Sequence, residues 1–250
     1  MPKLTKASKV ERKSTARGLI LYEGPSVLDG SPIVVIATMK TTNRKIGDMI
    51  QTWILRSDTN PVEASKLGLD QSICGNCPLR HHHGGACYVN LGQAPLSIYN
   101  AYKRGAYPKF EQKKHAELFF GRKLRLGAYG DPAAVPYQVF EPLVDLAVMH
   151  TGYTHQIRHK NFDIRYLNIC MVSADTPKQA IKYQNLGART FRVAIANDNL
   201  ADNEVECLAD AKGISCADCG LCGGKSNQPN IAITVHGSLA NHFHSPTTGI

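Results

Sequence analysis

Long apolar runs are missing from this chain of 250 residues. No stretch of 18 apolar residues occurs, which argues against a membrane-spanning helix, and residues 1–18 lack the apolar segment of a secretory signal. Internal repeats, low-complexity tracts and linker-like segments are missing as well. We therefore expect a single-domain cytoplasmic protein with no membrane partner.

Aromatic residues are scarce, at 7% of the chain, and they do not alternate with basic residues as they do in many single-strand nucleic-acid binders. The net charge is nevertheless +9, and an excess of five positive charges lies within residues 1–18. We predict a flexible basic arm at 1–18, which either contacts phosphates or is simply solvated, and one folded domain at 19–250. Nucleic-acid binding is therefore only a weak expectation.

Eight cysteines stand out, and seven of them form two groups. The first group has the spacing C-x2-C-x9-C and the second has the spacing C-x8-C-x2-C-x2-C; the members are Cys74, Cys77 and Cys87, then Cys207, Cys216, Cys219 and Cys222. In a reducing cytoplasm, clustered cysteines more often bind metal or act in catalysis than form disulfides. We interpret the seven as metal ligands, and Cys170, within an apolar segment, as a buried core thiol.

Iron–sulfur and zinc are the two metal alternatives, because both accept shells made only of thiolates. The run C-x2-C-x2-C is typical of ferredoxin-type loops and favours a [4Fe-4S] cluster at the second group. The first group is compatible with an open cluster, or with a closed Cys3His zinc site completed by His81, His82 or His83. The number of clusters, one or two, stays open.

Strand-like and helix-like patterns alternate along the chain, which predicts an α/β fold with mostly parallel strands. We expect a single barrel-like domain, TIM-like or a partial barrel, with an open doubly wound sheet as the alternative. The predicted strands are 33–38, 51–55, 124–129, 153–155, 165–173, 190–196 and 230–235. The predicted helices are 96–103, 110–120, 136–150 and one that begins after Thr176 and ends at Gly187.

Reactive groups in parallel α/β sheets gather at the carboxyl ends of the strands, so both cysteine groups are expected to face one cavity. Other candidates at strand ends are Gly130 with Asp131, which either contact a ligand or start a helix. His155 and His236 are either acids, bases or ligands of the cavity, or buried histidines whose hydrogen bonds are satisfied by protein. Arg192 is a further catalytic candidate. It lies inside an apolar strand and needs an anionic partner: a bound anion, the cluster, or Glu206.

Three early cysteines followed by the strand end GAYGDP resemble the radical S-adenosylmethionine enzymes. That resemblance implies that Cys74, Cys77 and Cys87 bind a [4Fe-4S] cluster with an open iron, that Asp131 contacts the amino group of S-adenosylmethionine, and that the second group holds an auxiliary cluster. The spacing C-x2-C-x9-C departs from the C-x3-C-x2-C of those enzymes. The segments ICGNCPLR, GACY, GAYGDP, TGYTHQ, ARTFRV, CADCGLC and ITVHG also resemble an uncharacterised family of bacteriophage proteins, which implies a host-cytoplasm setting.

Three functional hypotheses follow. The first is an iron–sulfur redox or radical enzyme whose cluster keeps an exchangeable position. The second is a non-catalytic iron–sulfur protein, with closed clusters for electron transfer or structural support, and the third is a zinc-stapled nucleic-acid-binding protein. The substrate or electron-transfer partner is not specified by the sequence.

Overall fold

The structure is a computed structural model that describes residues 16–195, 198–201, 203–237 and 239–243. The strands in these residues are β1 Gly18–Pro25, β2 Pro32–Thr38, β3 Ile50–Arg56, β4 Lys123–Tyr129, β5 Met149–Thr151, β6 Tyr153–Thr154, β7 Met171–Ala174, β8 Thr190–Ala194, β9 Glu204–Glu206 and β10 Asn230–Thr234. The predicted basic arm at 1–18 lies outside the described residues as far as residue 15.

Short helices connect the strands. The α-helices are α1 Pro61–Lys66, α2 Gln71–Cys74, α3 Ala94–Lys103, α4 Gln112–His115, α5 Glu141–Leu146, α6 Pro177–Gln184, α7 Leu208–Ala211 and α8 Cys216–Cys219. The 3-10 turns are His81–His83, Ala116–Leu118, Pro132–Ala134, Tyr137–Val139, Gln156–Arg158, Ile164–Asn168 and Ala240–His242. No helix in the described ranges is long and apolar enough to cross a membrane.

The strands form two five-stranded sheets. The first has the order β1-β2-β3-β4-β5, in which β1, β2 and β3 pair antiparallel while β3, β4 and β5 pair parallel. The second has the order β6-β7-β8-β10-β9 and is parallel throughout. The predicted mixed α/β class and the mostly parallel pairing are therefore confirmed.

A single residue, Gly152, separates the last strand of the first sheet from the first strand of the second. Its N–H donates to the carbonyl of Cys222 at 3.1 Å, and its carbonyl accepts from the N–H of Met171 at 2.9 Å. A Cβ at this position would lie 2.8 Å from Cys170 Sγ, so a larger residue does not fit without a shift. In the described part of the chain no strand joins β1, at the end of the first sheet, to β9, at the end of the second, so these strands do not close a TIM-like barrel.

The first sheet supplies most of the core. Its central strands β2 and β3 are buried along nearly their whole length, and Val34, Ile36, Ile54 and Leu124 have no exposed surface. Continuous apolar strands of this kind are covered on both faces, as expected for the inner strands of an α/β sheet. Cys170 is 1% exposed and belongs to this core, which confirms its interpretation as a buried thiol.

Six predicted strands, those now named β2, β3, β4, β6, β8 and β10, are confirmed, with the last residue of the predicted 190–196 outside the described ranges. The helix α6 is confirmed together with its predicted start and stop. At the start, the Thr176 side chain accepts from the Gln179 N–H, and past the end, Gly187 has φ of 80°. The prediction of one strand over 165–173 is wrong in its first half, because the Asp163 side chain accepts from the Arg165 N–H and starts a 3-10 turn there.

The predicted helix 136–150 is also wrong as one element. It divides into the 3-10 turn Tyr137–Val139, α5 and the strand β5. The last residues form β5 because they pair in register with β4, a tertiary contact that overrides the local helical spacing. The predicted helix 110–120 is similarly reduced to α4 and the 3-10 turn Ala116–Leu118.

Candidate metal centre

A cavity of about 420 Å³ lies on the face that both sheets share. On β8 the lining residues Phe191 and Val193 alternate with Arg192, because successive residues face opposite sides of a strand. The strand residues that line the cavity are Arg125, Gly127, Ala128, Tyr129, Thr151, Tyr153, Ser173, Ala174, Phe191, Val193 and Ile233. The cavity therefore spans the Gly152 junction and uses both sheets.

All seven grouped cysteines line this cavity: Cys74, Cys77, Cys87, Cys207, Cys216, Cys219 and Cys222. Cys74 ends α2, Cys207 follows β9, and Cys216 and Cys219 are the first and last residues of α8. The prediction that both groups face one cavity is confirmed. All eight cysteines of the chain are free thiols in the structure.

Burial dominates the electrostatics of these thiols. It raises the pKa of Cys74 well above its ordinary value, that of Cys87 to about 11 and that of Cys222 to about 12, although a hydrogen bond with Tyr153 works against the rise at Cys222. Burial also raises the pKa of Cys216, against the lowering effect of Arg125. Thiols with raised pKa values are neutral near pH 7, so a metal must displace their protons to bind them.

The donor chemistry suits a soft metal, but the side chains are not assembled around a single point. Within the described ranges, no group of three or more His, Cys, Asp or Glu residues has an arrangement that would hold a metal ion as it stands. Two sets of thiols on short loops nevertheless share one cavity. Metal binding therefore requires the thiols of a group to move closer together.

Arg80 holds the first cysteine loop in place. Its guanidinium donates to the Asp70 carboxylate, with Nε at 3.1 Å, and to the carbonyls of Gly75 at 3.2 Å and Gly68 at 2.8 Å. Both charged side chains are buried, at 4% and 3% exposure. A buried ion pair with its remaining donors on backbone carbonyls fixes the turn between Cys74 and Cys77.

Arg189 holds the loop after Cys222 in a similar way. Its guanidinium donates to five backbone carbonyls, those of Leu221 at 2.8 Å, Gly223 at 2.9 Å, Gly224 at 3.2 Å, Gln228 at 3.0 Å, and Pro229. All five acceptors are backbone carbonyls, so these contacts do not depend on the side chains of that loop. The conformation of the second cysteine loop thus depends on a residue at the start of β8.

Arg192 does not face the cavity. Phe191 and Val193 line it, and Arg192 points to the opposite side of β8, where it is 1% exposed. Its partners are Glu204, at 2.7 Å from Nη2, and Asp198, at 3.2 Å from Nη1. The interpretation of Arg192 as a catalytic candidate, or as a partner of Glu206 or a cluster, is therefore not supported, because two carboxylates already satisfy it.

Asp131 does line the cavity, but its carboxylate is occupied. Oδ2 accepts from the His155 N–H at 2.7 Å and from Gln156 Nε2 at 3.1 Å, while Oδ1 accepts from the Ala133 N–H at 3.0 Å. Burial raises its pKa against these hydrogen bonds. Asp131 thus starts the 3-10 turn Pro132–Ala134, and contact with an amino group would have to compete with three existing donors.

Gly130 lines the cavity as well, but the group closest to it is Ile54 of the neighbouring strand β3. Its φ is 83°, and a Cβ there would lie 2.7 Å from the Ile54 Cβ and 2.8 Å from the Ile54 carbonyl oxygen. Glycine is required by the contact between β4 and β3 whether or not a ligand is bound.

His155 has the most polar surroundings among the predicted histidines. Its Nε2 lies 3.6 Å from Asp175 Oδ1 and 4.0 Å from Cys77 Sγ. Burial lowers the pKa of His155, but Cys77 and Asp175 outweigh it, so the pKa lies well above its usual range. Both contacts use the same ring nitrogen, which is not the arrangement of a Cys-His-Asp nucleophilic triad.

The other histidines differ in position. His236 lines the cavity, stacks on Tyr88 with ring centres 5.8 Å apart, and contacts the Thr234 carbonyl through Nδ1 at 3.0 Å. His81 also lines the cavity. His82 contacts the Lys66 carbonyl at 3.3 Å, and His83 contacts Arg80 at 3.4 Å. Of the three consecutive histidines, His81 is the one that lines the cavity, and its Nε2 contacts the Val89 carbonyl at 3.1 Å.

The cavity residues that sequence reasoning missed include Tyr88, Arg125, Tyr153 and Asp175. Asp175 directly follows β7, so the strand-end argument would have identified it had that strand been predicted to end at residue 174. Arg125 was recognisable as the lone cation within the apolar part of strand KLRLGAY.

Comparison of the chain with protein-family models, with curated proteins and with solved structures found no match.

Proposed function

We propose that this chain is a phage-encoded iron–sulfur protein in which the grouped cysteines bind one or two [4Fe-4S] clusters inside the cavity. The observation that carries the proposal is the convergence of seven thiols, from two groups more than 100 residues apart, on one cavity. The free state of all eight cysteines agrees with the reducing host cytoplasm that we propose as its location. The proposal includes a partial barrel, because the cavity wall continues across Gly152 from one sheet to the other.

When bound, a cluster with an exchangeable iron would supply a Lewis-acidic or electron-donating centre. The residues of the chain have separate tasks in this proposal. Arg80 and Arg189 fix the two loops, the strand side chains limit access of water, and His155 with Asp175 holds a positive charge beside Cys77. If an open iron is present, a redox or radical S-adenosylmethionine-like enzyme is the proposed activity; closed clusters would make the protein an electron carrier or a structural module.

Zinc is the second candidate, and one observation favours it. His81 lines the cavity together with Cys74, Cys77 and Cys87, which supplies the residue types of a closed Cys3His site. A zinc protein that binds nucleic acid through residues 1–18 is the remaining form of this alternative, and the arm falls almost entirely outside the described residues.

The test is anaerobic purification followed by iron, sulfide and zinc analysis and low-temperature paramagnetic resonance of the reduced protein, with and without S-adenosylmethionine. The proposal expects about four or eight irons per chain with matching sulfide. A signal altered by S-adenosylmethionine would support the radical enzyme, whereas iron without that response would support closed clusters. Zinc without iron would refute the iron–sulfur proposal.

Three variants assign the cysteines. Cys74→Ala with Cys77→Ala removes ligands of the first group, and Cys216→Ala with Cys219→Ala removes ligands of the second. Cys170→Ala is the matched control, since Cys170 is buried in the core and is not among the residues lining the cavity. At least one double variant should lose iron while the control keeps it, and loss in both would assign ligands to both groups. Equal iron content in all three would refute the assignment.

A further inference from the structure

We propose that the cavity has a separate binding site for a small ligand carrying a carboxylate or phosphate group, and that Arg125 is the residue that binds this anion. The site uses none of the cysteines as ligands and does not require a bound metal. It therefore goes beyond the iron–sulfur proposal and can be tested whether or not that proposal holds.

Arg125 is a buried cation without a carboxylate partner among the described residues, and a nearby acidic group is the Cys216 thiol, whose pKa is raised by burial. Arg125 is 8% exposed and lies in β4 between Leu124 and Leu126, which are fully buried. None of the salt bridges among the described residues includes it. Its one side-chain hydrogen bond goes from Nη2 to the Tyr88 hydroxyl oxygen at 2.8 Å, and its Nε is buried with no hydrogen-bond partner.

This arrangement destabilises the folded protein, because the buried guanidinium has lost its hydration and its unused donor makes no hydrogen bond in return. The other buried arginines of this protein show the contrast. Arg80 and Arg192 are paired with carboxylates, and Arg189 places its donors on five carbonyls. Arg125 alone among these four keeps an unused buried donor while lining the cavity.

The carboxylates around the cavity do not supply the missing partner. Asp70 is paired with Arg80, Asp131 accepts three hydrogen bonds, and Asp175 lies beside His155. Asp210 also lines the cavity but is exposed to solvent. The cationic side chain of Lys45 lies on the same cavity and adds to the positive potential.

The surroundings define the ligand class. A guanidinium presents a planar fork of donors that matches the two oxygens of a carboxylate or phosphate. The Tyr88 hydroxyl accepts from Arg125, so its own hydrogen is available for a second ligand oxygen. Tyr153, Phe191, Val193 and Ile233 line the same cavity, which suits a ligand with an apolar part attached to its anionic end.

The test uses the full chain, as purified anaerobically, titrated separately with inorganic phosphate and with succinate at constant ionic strength. Binding is followed by calorimetry and by the shift in Tm, and iron and zinc are measured on every sample. We expect saturable binding of at least one anion, with Arg125→Met raising Kd by at least about 30-fold. A response to phosphate or to succinate alone identifies which anionic group the site takes.

Two further variants separate binding from folding. Arg104→Met is the matched control, because Arg104 is exposed, and it should bind the anion as the wild type does. Tyr88→Phe keeps a ring that is 55% exposed and should weaken binding without unfolding the protein. Without ligand, Arg125→Met should raise Tm by a few degrees, because it removes an unpaired buried charge.

Three results would overturn the proposal. One is the absence of saturable binding of either anion to the wild type. The second is equal Kd for wild type and Arg125→Met. The third is a lower Tm together with loss of metal in Arg125→Met, which would show that Arg125 balances the charge of the metal-bound thiolates. An iron-free wild type that still binds anion through Arg125 would refute the iron–sulfur proposal and support this one.

Discussion

Replacement of Arg189 by methionine should open the second cysteine loop. Arg189 is 7% exposed, and its guanidinium donates to five carbonyls between residues 221 and 229. Charge-assisted hydrogen bonds contribute about 1.5–3 kcal/mol each, but water can replace part of them once a loop opens. We therefore expect a loss of about 3–5 kcal/mol, well below the sum of five such bonds, and we expect it to be concentrated in this loop.

Thiol labelling of the reduced protein measures this local effect. Cys222 is 9% exposed and lies between two residues whose carbonyls accept from Arg189, whereas Cys170 lies in the core at 1% exposure. A loss of about 3 kcal/mol in local stability corresponds to a rise of about 100-fold in the labelling rate of Cys222. Arg104→Met should leave both rates unchanged. An unchanged Cys222 rate in Arg189→Met, or an equal rise at Cys170, would refute the reasoning.

Three further predictions concern the fold, each measured by urea unfolding. Glu204→Gln leaves the buried Arg192 with Asp198 as its remaining carboxylate partner and should cost about 3 kcal/mol, the lower end of the range for a broken buried ion pair. Burial raises the pKa of Glu204, but its hydrogen bond with Arg192 and its other contacts outweigh burial, so the pKa is lowered overall. The stabilisation by ionised Glu204 should therefore be lost in the wild type below about pH 4, whereas the variant has no such stabilisation to lose. Parallel curves of stability against pH for the two proteins would contradict this prediction. Gly152→Ala should cost about 1–3 kcal/mol, because the added Cβ would lie 2.8 Å from Cys170 Sγ. The control Gly92→Ala should be nearly neutral, because the nearest atom to its Cβ would be 3.6 Å away. Equal losses of stability in the two variants would contradict the steric argument. Cys170→Ala should cost about 1–2 kcal/mol without loss of metal, and a fall in metal content would contradict its place in the core.

Local signals explain which elements were predictable. The helix α6 has a Thr-Pro start and a glycine stop, and both act within a few residues. The strand β5 has no such signal, since its three residues continue a helical pattern and become a strand only through pairing with β4. Strand β1 was missed for a related reason: it alternates weakly and depends on antiparallel pairing with β2.

Within the candidate site, too, some features were predictable from local sequence signals and others were not. The spacing of the cysteines identified all seven thiols that line the cavity, because short spacings place ligands on one loop whatever the fold. The partners of the buried charges were not predictable. Arg192 pairs with Glu204, two residues from the expected Glu206, because β8 and β9 are both neighbours of β10 and the shared sheet brings the two side chains together.

The sequence by itself determined the α/β class, the mostly parallel strands and the two groups of thiols, since these depend on local patterns and short spacings. The strand-end argument also predicted that both groups face one cavity, which the structure confirms. Only the tertiary structure decided that Arg189 fixes one cysteine loop and that Asp131 is occupied by three donors. It also left Arg125 buried without a carboxylate. Those features join residues far apart in the chain, and their energies depend on distance and desolvation, which exist only after the strands have paired.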